Sequence, residues 1–162
     1  MKPVVVRTWA PKGKTPTVRH TFNWSKLSVV GAVTDDGRVY QNTYEHAIRS
    51  PQFVAFLEHL LRHIEGPIVL VVDRSPIHRS KVVRASLERN PRLSLEFLPT
   101  YAPECNPTEW LWAYVKRRSL GNLCARTLAE LRGAWWRALA RLRLRPELVR
   151  SFFAASAIGN VT

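Results

Sequence analysis

The chain has 162 residues, enough for one domain with one hydrophobic core, and its 46% apolar content excludes general disorder. Its formal net charge is +13, with 25 Lys and Arg against 12 Asp and Glu, and 19 of the basic residues are Arg. This charge favours a polyanionic partner, above all nucleic acid, because the planar guanidinium group matches phosphate oxygens two at a time. A solubility surface or a ribosome-type packing protein is the alternative that composition leaves open.

Cysteine usage and hydropathy bear on where the protein works. Cys105 and Cys124 stand alone, without a CxxC pair or zinc spacing, which suits a reducing cytosol. The start of the chain has only Val4 to Val6 as an apolar run, so no secretory signal is predicted. No window approaches the roughly 18 apolar residues that a membrane span needs. We expect a cytoplasmic, nucleoid-associated protein without a membrane partner.

The first elements in chain order are a loop and a hairpin. Two prolines and a glycine make Arg7 to Pro16 (R-T-W-A-P-K-G-K-T-P) irregular. A strand is predicted from Lys26 to Thr34, then a tight turn at Asp35-Asp36-Gly37, then a second strand from Val39 to Tyr44.

A helix and a buried strand follow the hairpin. Ser50 is predicted as the cap of a helix with Pro51 at its first position, and apolar residues recur at helical spacing as far as Ile64. The uninterrupted apolar run Ile68 to Val72 predicts a strand buried on both faces, and it ends at Asp73.

The second half of the chain is predicted to be mainly helical. Its elements are a helix over Ser80–Asn90, a strand over Leu93–Leu98, a helix from the cap Asn106 to about Leu120, a helix from Thr127, and a helix over Pro146–Ala157. The order of hairpin, helix, strand, helix, strand and helices is an α/β layer pattern.

Asp73 and His78 are the first candidates for chemistry. In open α/β sheets, ligands gather beyond the carboxyl ends of strands, where Asp73 lies. An Asp in this position is equally typical of a turn before Ser75-Pro76. His78 comes five residues later, within reach of the same site, although a loop histidine is commonly an ordinary surface residue.

Glu109 is the second candidate carboxylate. The sequence Asn106 to Glu109 (N-P-T-E) has the spacing of a capping box, in which Glu109 would bind the backbone at the helix start. The same position also suits a metal ligand, because the helix dipole keeps the carboxylate ionised and a hard cation needs ionised oxygen. Sequence alone leaves both interpretations open.

Two further patterns are charged. His59 and His63 have an i, i+4 spacing that suits zinc, but no acidic base accompanies them, so a solvated helix face is the preferred interpretation. From Lys116 to Arg150 there are ten basic residues against two acidic ones, which favours a phosphate track over an ordinary polar face. The candidate DNA-binding residues are Lys116, Arg117, Arg118, Arg137, Arg141 and Arg145, the last three at i, i+4 and i+8.

The stretch Leu98 to Arg118 (L-P-T-Y-A-P-E-C-N-P-T-E-W-L-W-A-Y-V-K-R-R) resembles the last motif of the DDE transposases of the mariner-like insertion-sequence group. That motif reads L-P-x-Y-S-P-x-x-N-P-x-E, with Ala102 here in place of Ser. The run V-L-V-V-D-R-S-P-I-H resembles the strand of the family's second acid, with Arg74 where Asn is usual. The two acids are 109 − 73 = 36 positions apart, close to the family spacing.

The resemblance implies a ribonuclease H-like α/β fold and metal-dependent cleavage and strand transfer of DNA. It places catalytic, metal-binding acids at Asp73 and Glu109, with His78 and Asn106 in support. It also implies Mg²⁺ or Mn²⁺ as cofactor, because several carboxylates are needed to hold two dications that repel each other.

One departure from the family pattern concerns the first acid, which lies on a central strand just before the W-A-P-K-G segment. No acid precedes Trp9 here, and only Val4 to Val6 is available to take the strand's place beside Ile68 to Val72. We therefore expect residues 1–162 to be a truncated catalytic domain, weak or inactive alone, with the basic helical segment 121–162 packed on it.

Element ends, target DNA, a homodimer and the product of an upstream reading frame are the expected partners. The competing hypothesis is a non-enzymatic basic protein that binds DNA or regulates a full-length transposase and needs neither Asp73 nor Glu109. An RNA-binding, ribosome-type protein is a third class.

Overall fold

The structure, a computed structural model, describes residues 4–17 and 26–156. Its elements are strands β1 (Ser28–Val33) and β2 (Val39–Tyr44), helix α1 (Ser50–His63), strand β3 (Ile68–Val72), helix α2 (Lys81–Glu88), strand β4 (Leu93–Phe97), and helices α3 (Pro107–Tyr114), α4 (Leu128–Arg143) and α5 (Pro146–Ala155). A 3₁₀ turn over Pro103–Cys105 precedes α3, and a π-helical turn over Val115–Ser119 follows it. The predicted α/β pattern and the irregular N-terminal loop are confirmed; Ala157, the predicted end of α5, lies outside the described residues.

Strands β1 and β2 form the predicted antiparallel hairpin. The register pairs Ser28 with Tyr44 and Val33 with Val39. Gly37 in the turn has φ +90°, a conformation that glycine adopts without steric cost. A Cβ atom at Gly37 would clash with the backbone oxygen of Pro146, so the turn packs directly on the start of α5.

Strands β3 and β4 form a second, parallel pair, with Ile68 opposite Leu93 and Val72 opposite Phe97. The prediction that β3 is buried on both faces is wrong. Ile68 and Val72 are buried, but Val69 is 64% and Val71 37% exposed. The reason is that the described residues form two separate two-stranded sheets, and helices cover only one face of the β3–β4 pair.

Three of the five described α-helices begin with a side-chain cap, and α1 and α5 do not. Ser80, Asn106 and Thr127 cap their helices with side-chain oxygens, as the sequence predicts for Asn106. Ser50 does not cap α1, because the helix already begins at Ser50. Its N-cap is Arg49, whose backbone N–H donates to the Gln52 side chain at 3.0 Å.

The apolar side chains form two clusters. The first cluster contains Ala32, Tyr40, Phe53, Phe56, Leu57, Leu60, Ile68, Val72, Val83 and Leu93. The second cluster contains Val39, Leu111, Val115, Leu120, Trp135, Ala138, Leu139, Leu142, Val149 and Phe152. The hairpin contributes to both, since alternate residues of a strand point to opposite faces. It therefore lies between the two clusters.

The N-terminal segment does not lie beside β3. Val4 forms a parallel bridge with Gly121, and the side chain of Asn122 bonds both backbone groups of Val6 at 3.0 Å. The expectation that Val4 to Val6 fills the place of a central strand is therefore wrong. Among the helices described, none is long and apolar enough to cross a membrane.

Candidate metal-binding site

Asp73 lies immediately after β3, at the carboxyl end of the β3–β4 pair. Its side chain is 61% exposed. One carboxylate oxygen, Oδ1, accepts a hydrogen bond from the backbone N–H of Ser75 at 2.9 Å and lies 2.9 Å from Nδ1 of His78. The other oxygen, Oδ2, has no hydrogen-bond partner among the described residues, so it is available to a ligand.

His78 holds the Asp73 turn in place. Its Nδ1 lies 3.0 Å from the backbone oxygen of Asp73 as well as 2.9 Å from the carboxylate, and its side chain is only 17% exposed. The imidazole packs on the ring of Phe53, with the ring centroids 4.3 Å apart. Since both Asp73 atoms are acceptors, Nδ1 carries the proton, and Nε2 is the nitrogen left for other contacts.

Arg74 occupies the position at which the family motif usually has Asn. Its side chain contacts the backbone of the loop that follows β4. Its Nε donates to the backbone oxygen of Leu98 at 3.0 Å, and its own backbone oxygen accepts from Arg79 at 3.1 Å. The first bond ties the end of β3 to the loop that leads towards α3. No local pattern predicts this contact, because Leu98 is 24 residues away from Arg74 in the chain.

Glu109 lies in the first turn of α3, and the capping-box interpretation fails. The backbone N–H of Asn106 donates to Pro103 at 3.0 Å, so it has no bond to spare for the Glu109 carboxylate. The Asn106 side chain accepts from the N–H of Thr108 at 3.0 Å. The Glu109 side chain is exposed and makes no hydrogen bond or ion pair with any described residue. Its carboxylate is therefore free, at the positive end of the helix dipole.

Asp73, His78, Asn106 and Glu109 line one cavity of about 650 Å³. Its long walls are β1 and β3, and apolar side chains of α1, among them Phe56 and Leu60, line it as well. The structure thus brings together the four residues that the sequence assigned to one site. Within residues 4–17 and 26–156, no three His, Cys, Asp or Glu side chains lie close enough together to hold a metal ion.

The donor atoms fit a hard divalent cation better than zinc. Asp73 and Glu109 offer free carboxylate oxygens, which are the ligands of Mg²⁺ and Mn²⁺. Mg²⁺ is commonly held by only one or two protein carboxylates, with water and substrate phosphate completing its shell. Two carboxylates on separate elements are therefore compatible with such an ion.

Asp36, at the hairpin turn, is not available as a further ligand. Its carboxylate accepts hydrogen bonds from Thr34 and from Nε of Arg38, the latter at 2.8 Å. The Arg38 guanidinium, followed by the Thr34 hydroxyl, holds the pKa of Asp36 below its ordinary value of 3.8. This acid is thus already neutralised by an ion pair.

The candidate DNA-binding residues lie on two surfaces. Lys116, Arg117 and Arg118 are exposed on the π-helical turn, and Arg137 and Arg141 are exposed one turn apart on α4. Arg145 does not continue that row, because α4 ends at Arg143. It lies at the junction with α5 and pairs with Glu147 at 3.4 Å.

His59 and His63 stack on one face of α1 with ring centroids 4.3 Å apart. Burial, followed by the positive charges of His63, Arg62 and Arg143, lowers the pKa of His59 from its ordinary value of 6.5. A cationic environment of this kind opposes metal binding, so the helix-face interpretation is the better one.

Comparison with known proteins gives a family and a fold. A family model described as DDE superfamily endonuclease matches residues 2–132. The Mos1 transposase paired-end complex with left transposon end is 18% identical, with a TM-score of 0.59, over 92% of this chain and 50% of that one. A pre-cleavage Mos1 transpososome is 16% identical, with a TM-score of 0.62, over 92% of this chain and 51% of that one.

The catalytic domain of Mos1 mariner transposase is 17% identical, with a TM-score of 0.55, over 80% of this chain and 75% of that one. At such identities these likenesses carry the fold alone, and they confirm the ribonuclease H-like α/β class. The chain spans about half the length of the first two Mos1 chains. No curated protein sequence matches it.

Proposed function

Since the chain belongs to the DDE superfamily of endonucleases, we propose that it is catalytic-domain material of a DNA transposase, with metal-dependent DNA strand cleavage and strand transfer as its reaction. The observation that carries the proposal is the meeting of Asp73 and Glu109 in one cavity, each with a carboxylate oxygen that has no partner among the described residues. Asp73 also forms the turn, since its Oδ1 accepts from Ser75, but that bond uses one oxygen and leaves Oδ2 for a ligand.

Mg²⁺ or Mn²⁺ is the proposed cofactor, held by the carboxylates of Asp73 and Glu109. When bound, such an ion supplies Lewis-acid activation of an attacking oxygen and stabilises the leaving oxygen. His78 fixes the rotamer of Asp73, and Asn106 fixes the first turn of α3 that carries Glu109. Three carboxylates line the cavity, the third being that of Asp35 at the hairpin turn. Because only Asp73 and Glu109 fall on acid positions of the family motifs, we expect the chain alone to be a slow enzyme.

DNA is the proposed partner, as transposon ends and as target. Support comes from the net charge of +13 and from the exposed basic residues on the π-helical turn and on α4. Each phosphate that they neutralise releases counterions and makes binding salt-dependent. The same proposal includes further partners and a location. They are a second copy of the chain in a homodimer, a polypeptide from an upstream reading frame, and the nucleoid.

The metal proposal is tested by titrating the protein with Mn²⁺ in a calorimeter. We expect Asp73→Asn and Glu109→Gln each to weaken binding at least about tenfold, because each removes one charged ligand from a small set. Glu147→Gln is the matched control, since Glu147 is an exposed acid at a helix start that pairs with Arg145. Equal losses in the control and the site variants would show nonspecific binding and overturn the proposal.

The catalytic proposal is tested by Mn²⁺-dependent nicking of supercoiled plasmid. We expect slow nicking by the wild-type chain and none by Asp73→Asn. Nicking that persists unchanged in Asp73→Asn would come from another residue or a contaminating nuclease. Plasmid binding without nicking by any form would favour the second candidate function, a non-enzymatic DNA-binding protein. That function needs only the exposed basic residues on the π-helical turn and on α4.

The DNA surface is tested by the salt dependence of duplex binding. Removing two phosphate contacts in Arg137→Gln/Arg141→Gln is expected to reduce the slope of log K against log salt by about 1.8. Arg62→Gln, an exposed arginine on α1, is the control that leaves the slope unchanged. An unchanged slope in the double variant would remove α4 from the DNA surface.

A further inference from the structure

The arm formed by residues 7–14 carries an aromatic ring that lies entirely in water. Every residue of the arm is exposed, and Trp9 is 100% exposed. Folded proteins bury most of the area of a tryptophan on average, because its ring brings a large apolar surface. A tryptophan without any cover is therefore available to pack against a partner.

The base of the arm has a fixed position. The backbone oxygen of Val4 accepts from the N–H of Asn122 at 2.8 Å, and the Asn122 side chain bonds both backbone groups of Val6 at 3.0 Å. Trp9 comes three residues after Val6, so its Cα atom lies at most about 11 Å from this anchor. The exposed ring is thus held close to the loop that follows the π-helical turn.

The arm starts directly beside the π-helical turn. A Cβ atom at Gly121 would lie 2.7 Å from Cγ2 of Val6 and would clash with the backbone oxygen of Arg117. Gly121 therefore allows Val6 to pack closely on the end of the turn, and Arg7 follows at once. The arm and the turn together form one surface, which we call the arm–turn surface.

The charge of the arm–turn surface is entirely positive. Neither residues 4–17 nor residues 115–123 contain Asp or Glu. No acidic side chain among the described residues forms an ion pair with any of the exposed cations of this surface. These cations are Arg7, Lys12, Lys14, Lys116, Arg117 and Arg118. Unopposed cations in this number favour the phosphates of a nucleic acid.

The tip of the arm is a compact β-turn. The N–H of Lys14 donates to the backbone oxygen of Pro11 at 3.0 Å, and Gly13 has φ +81°, as the third residue of a type II turn requires. A Cβ atom at Gly13 would meet nothing within 4 Å, so no described residue packs on this face of the turn. Lys12 and Lys14 therefore lie on a preformed, open turn, which reduces the entropy lost when they bind.

A flat ring among cations suits unpaired nucleotides better than a duplex. The faces of the bases in a duplex are stacked on one another, so side chains reach only the base edges in the grooves. Unpaired bases expose their faces, and aromatic side chains stack on them while cations contact the phosphates alongside. Trp9 lies between Arg7 and Lys12 in the chain, which gives this combination.

We propose that the arm–turn surface binds an unpaired DNA strand, with one base stacked on Trp9. Arg7, Lys12 and Lys14 contact phosphates near that base, and the cations of the π-helical turn contact phosphates further along the strand. The inference rests on the proposed DNA partner and adds a preference for single-stranded segments. Stacking of this kind tolerates any base sequence, because every base has a flat face.

Fluorescence anisotropy of a labelled oligothymidylate tests the proposal on the intact chain. We expect Trp9→Ala to weaken binding of a strand of about 12 nucleotides at least about tenfold. Trp9→Leu is expected to lose as much, because leucine is apolar but not flat, whereas Trp9→Phe keeps most of the affinity. Binding of a duplex of the same length is expected to stay within about twofold of the wild type in all three variants. The exposed position of Trp9 makes it safe to replace, and circular dichroism checks the fold.

Trp136→Ala is the matched control, because Trp136 is a 43% exposed tryptophan next to Arg137 on α4. Equal losses in Trp136→Ala and Trp9→Ala, or equal losses for duplex and single strand, would overturn the proposal. Full affinity in Trp9→Leu would indicate an ordinary apolar contact, of the kind made by a protein pocket, and would overturn it as well. Tighter binding of an RNA strand of matching length would assign the arm to RNA instead.

The same titrations separate this inference from the DNA proposal. Unchanged single-strand affinity in Trp9→Ala, with normal duplex binding, would remove the arm and leave the DNA proposal intact. A wild-type chain that binds neither form of DNA would overturn both.

Salt dependence tests the phosphate contacts of the arm. Lys12→Gln/Lys14→Gln removes two cations and is expected to reduce the slope of log K against log salt by about 1.4 for the single strand. Arg84→Gln/Arg89→Gln is the matched control, since both arginines are exposed at α2, and its slope is expected to equal that of the wild type. An unchanged slope in the arm variant would contradict the proposed contacts.

Discussion

The two apolar clusters differ in what they hold and in how well they are covered. The first cluster is built around α1 and carries Asp73 at the end of β3, with Val69 and Val71 left exposed. The second cluster is built around α4, fully covers Leu111 and Leu139, and carries Glu109 at the start of α3. The candidate site therefore depends on how the two halves of the molecule are held against each other.

The difference also gives each half its own spectroscopic signal. Four of the six tryptophans lie in α3 and α4, and none lies between Ser50 and Leu98. Tryptophan fluorescence consequently reports on the second cluster, while far-ultraviolet circular dichroism reports on both.

The largest expected effect on stability comes from truncating one fully buried leucine in one cluster at a time. Leu57→Ala in α1 and Leu139→Ala in α4 each truncate a side chain with no exposed area, and each should lower the free energy of unfolding by about 2–5 kcal/mol. We expect urea denaturation of Leu57→Ala to shift the circular dichroism transition more than the fluorescence transition. Leu139→Ala should shift both.

Coincident transitions in every variant would show one cooperative unit and remove the distinction between the halves. Val82→Ala is the control for truncation without cavity formation, because Val82 is 51% exposed. Its denaturation midpoint is expected to stay within error of the wild type.

A smaller effect is expected from the cap of α3. Asn106→Ala removes the oxygen that accepts from Thr108 and should cost about 0.5–2 kcal/mol. Because this cap fixes the first turn that carries Glu109, Mn²⁺ affinity should fall as well. Thr127→Ala removes the equivalent cap of α4 and is expected to lose similar stability with unchanged metal affinity. Equal metal affinity in both variants would show that the cap plays no part in positioning Glu109.

The smallest expected effect is a pH dependence of the free energy of unfolding that arises where α1 and α4 approach each other. Burial and the cations His63, Arg62 and Arg143 lower the pKa of His59, and Arg143 belongs to α4 while His59 belongs to α1. The unfolded chain therefore binds the proton more readily than the folded one. Stability from this group is present above pH 6.5 and is lost as pH falls through the lower folded value.

Urea midpoints measured from about pH 5 to 7.5 test this effect, with His59→Gln expected to show a flatter profile than the wild type. His46→Gln is the control, since His46 is an exposed histidine outside α1. If His59→Gln shows the same dependence of urea midpoint on pH as the wild type, a group other than His59 is responsible for that dependence.

Local sequence signals predicted most elements because their causes are local. The Asp-Asp-Gly turn, the cap at Asn106 and the apolar period of α1 each specify their structure within a few residues. The motif around Glu109 and the acid after β3 likewise led to one site, which the structure brings together in a single cavity. The assignment of those residues to metal binding stays a prediction.

Two of the wrong predictions depended on partners distant in the chain, whereas the errors at Ser50 and Arg145 concern the exact ends of helices. The run Ile68 to Val72 looks like a strand covered on both faces, but cover has to be supplied by other segments, and one face lacks it. The predicted row of Arg137, Arg141 and Arg145 requires α4 to reach Arg145. The helix ends at Arg143, two residues before that position. The position of Val4 to Val6 beside Asn122 joins segments 116 residues apart, for which periodicity carries no information.

The contact between Gly37 and Pro146 has a consequence for how the protein is made. The two residues are 146 − 37 = 109 positions apart, so the hairpin turn reaches its final support only after the C-terminal helices have left the ribosome. At ordinary rates of translation that interval is about 5 to 20 s, during which one face of the hairpin has no cover. A nascent chain of this kind is a natural client for chaperones that hold exposed apolar strands, and slower synthesis of its last third would lengthen that dependence.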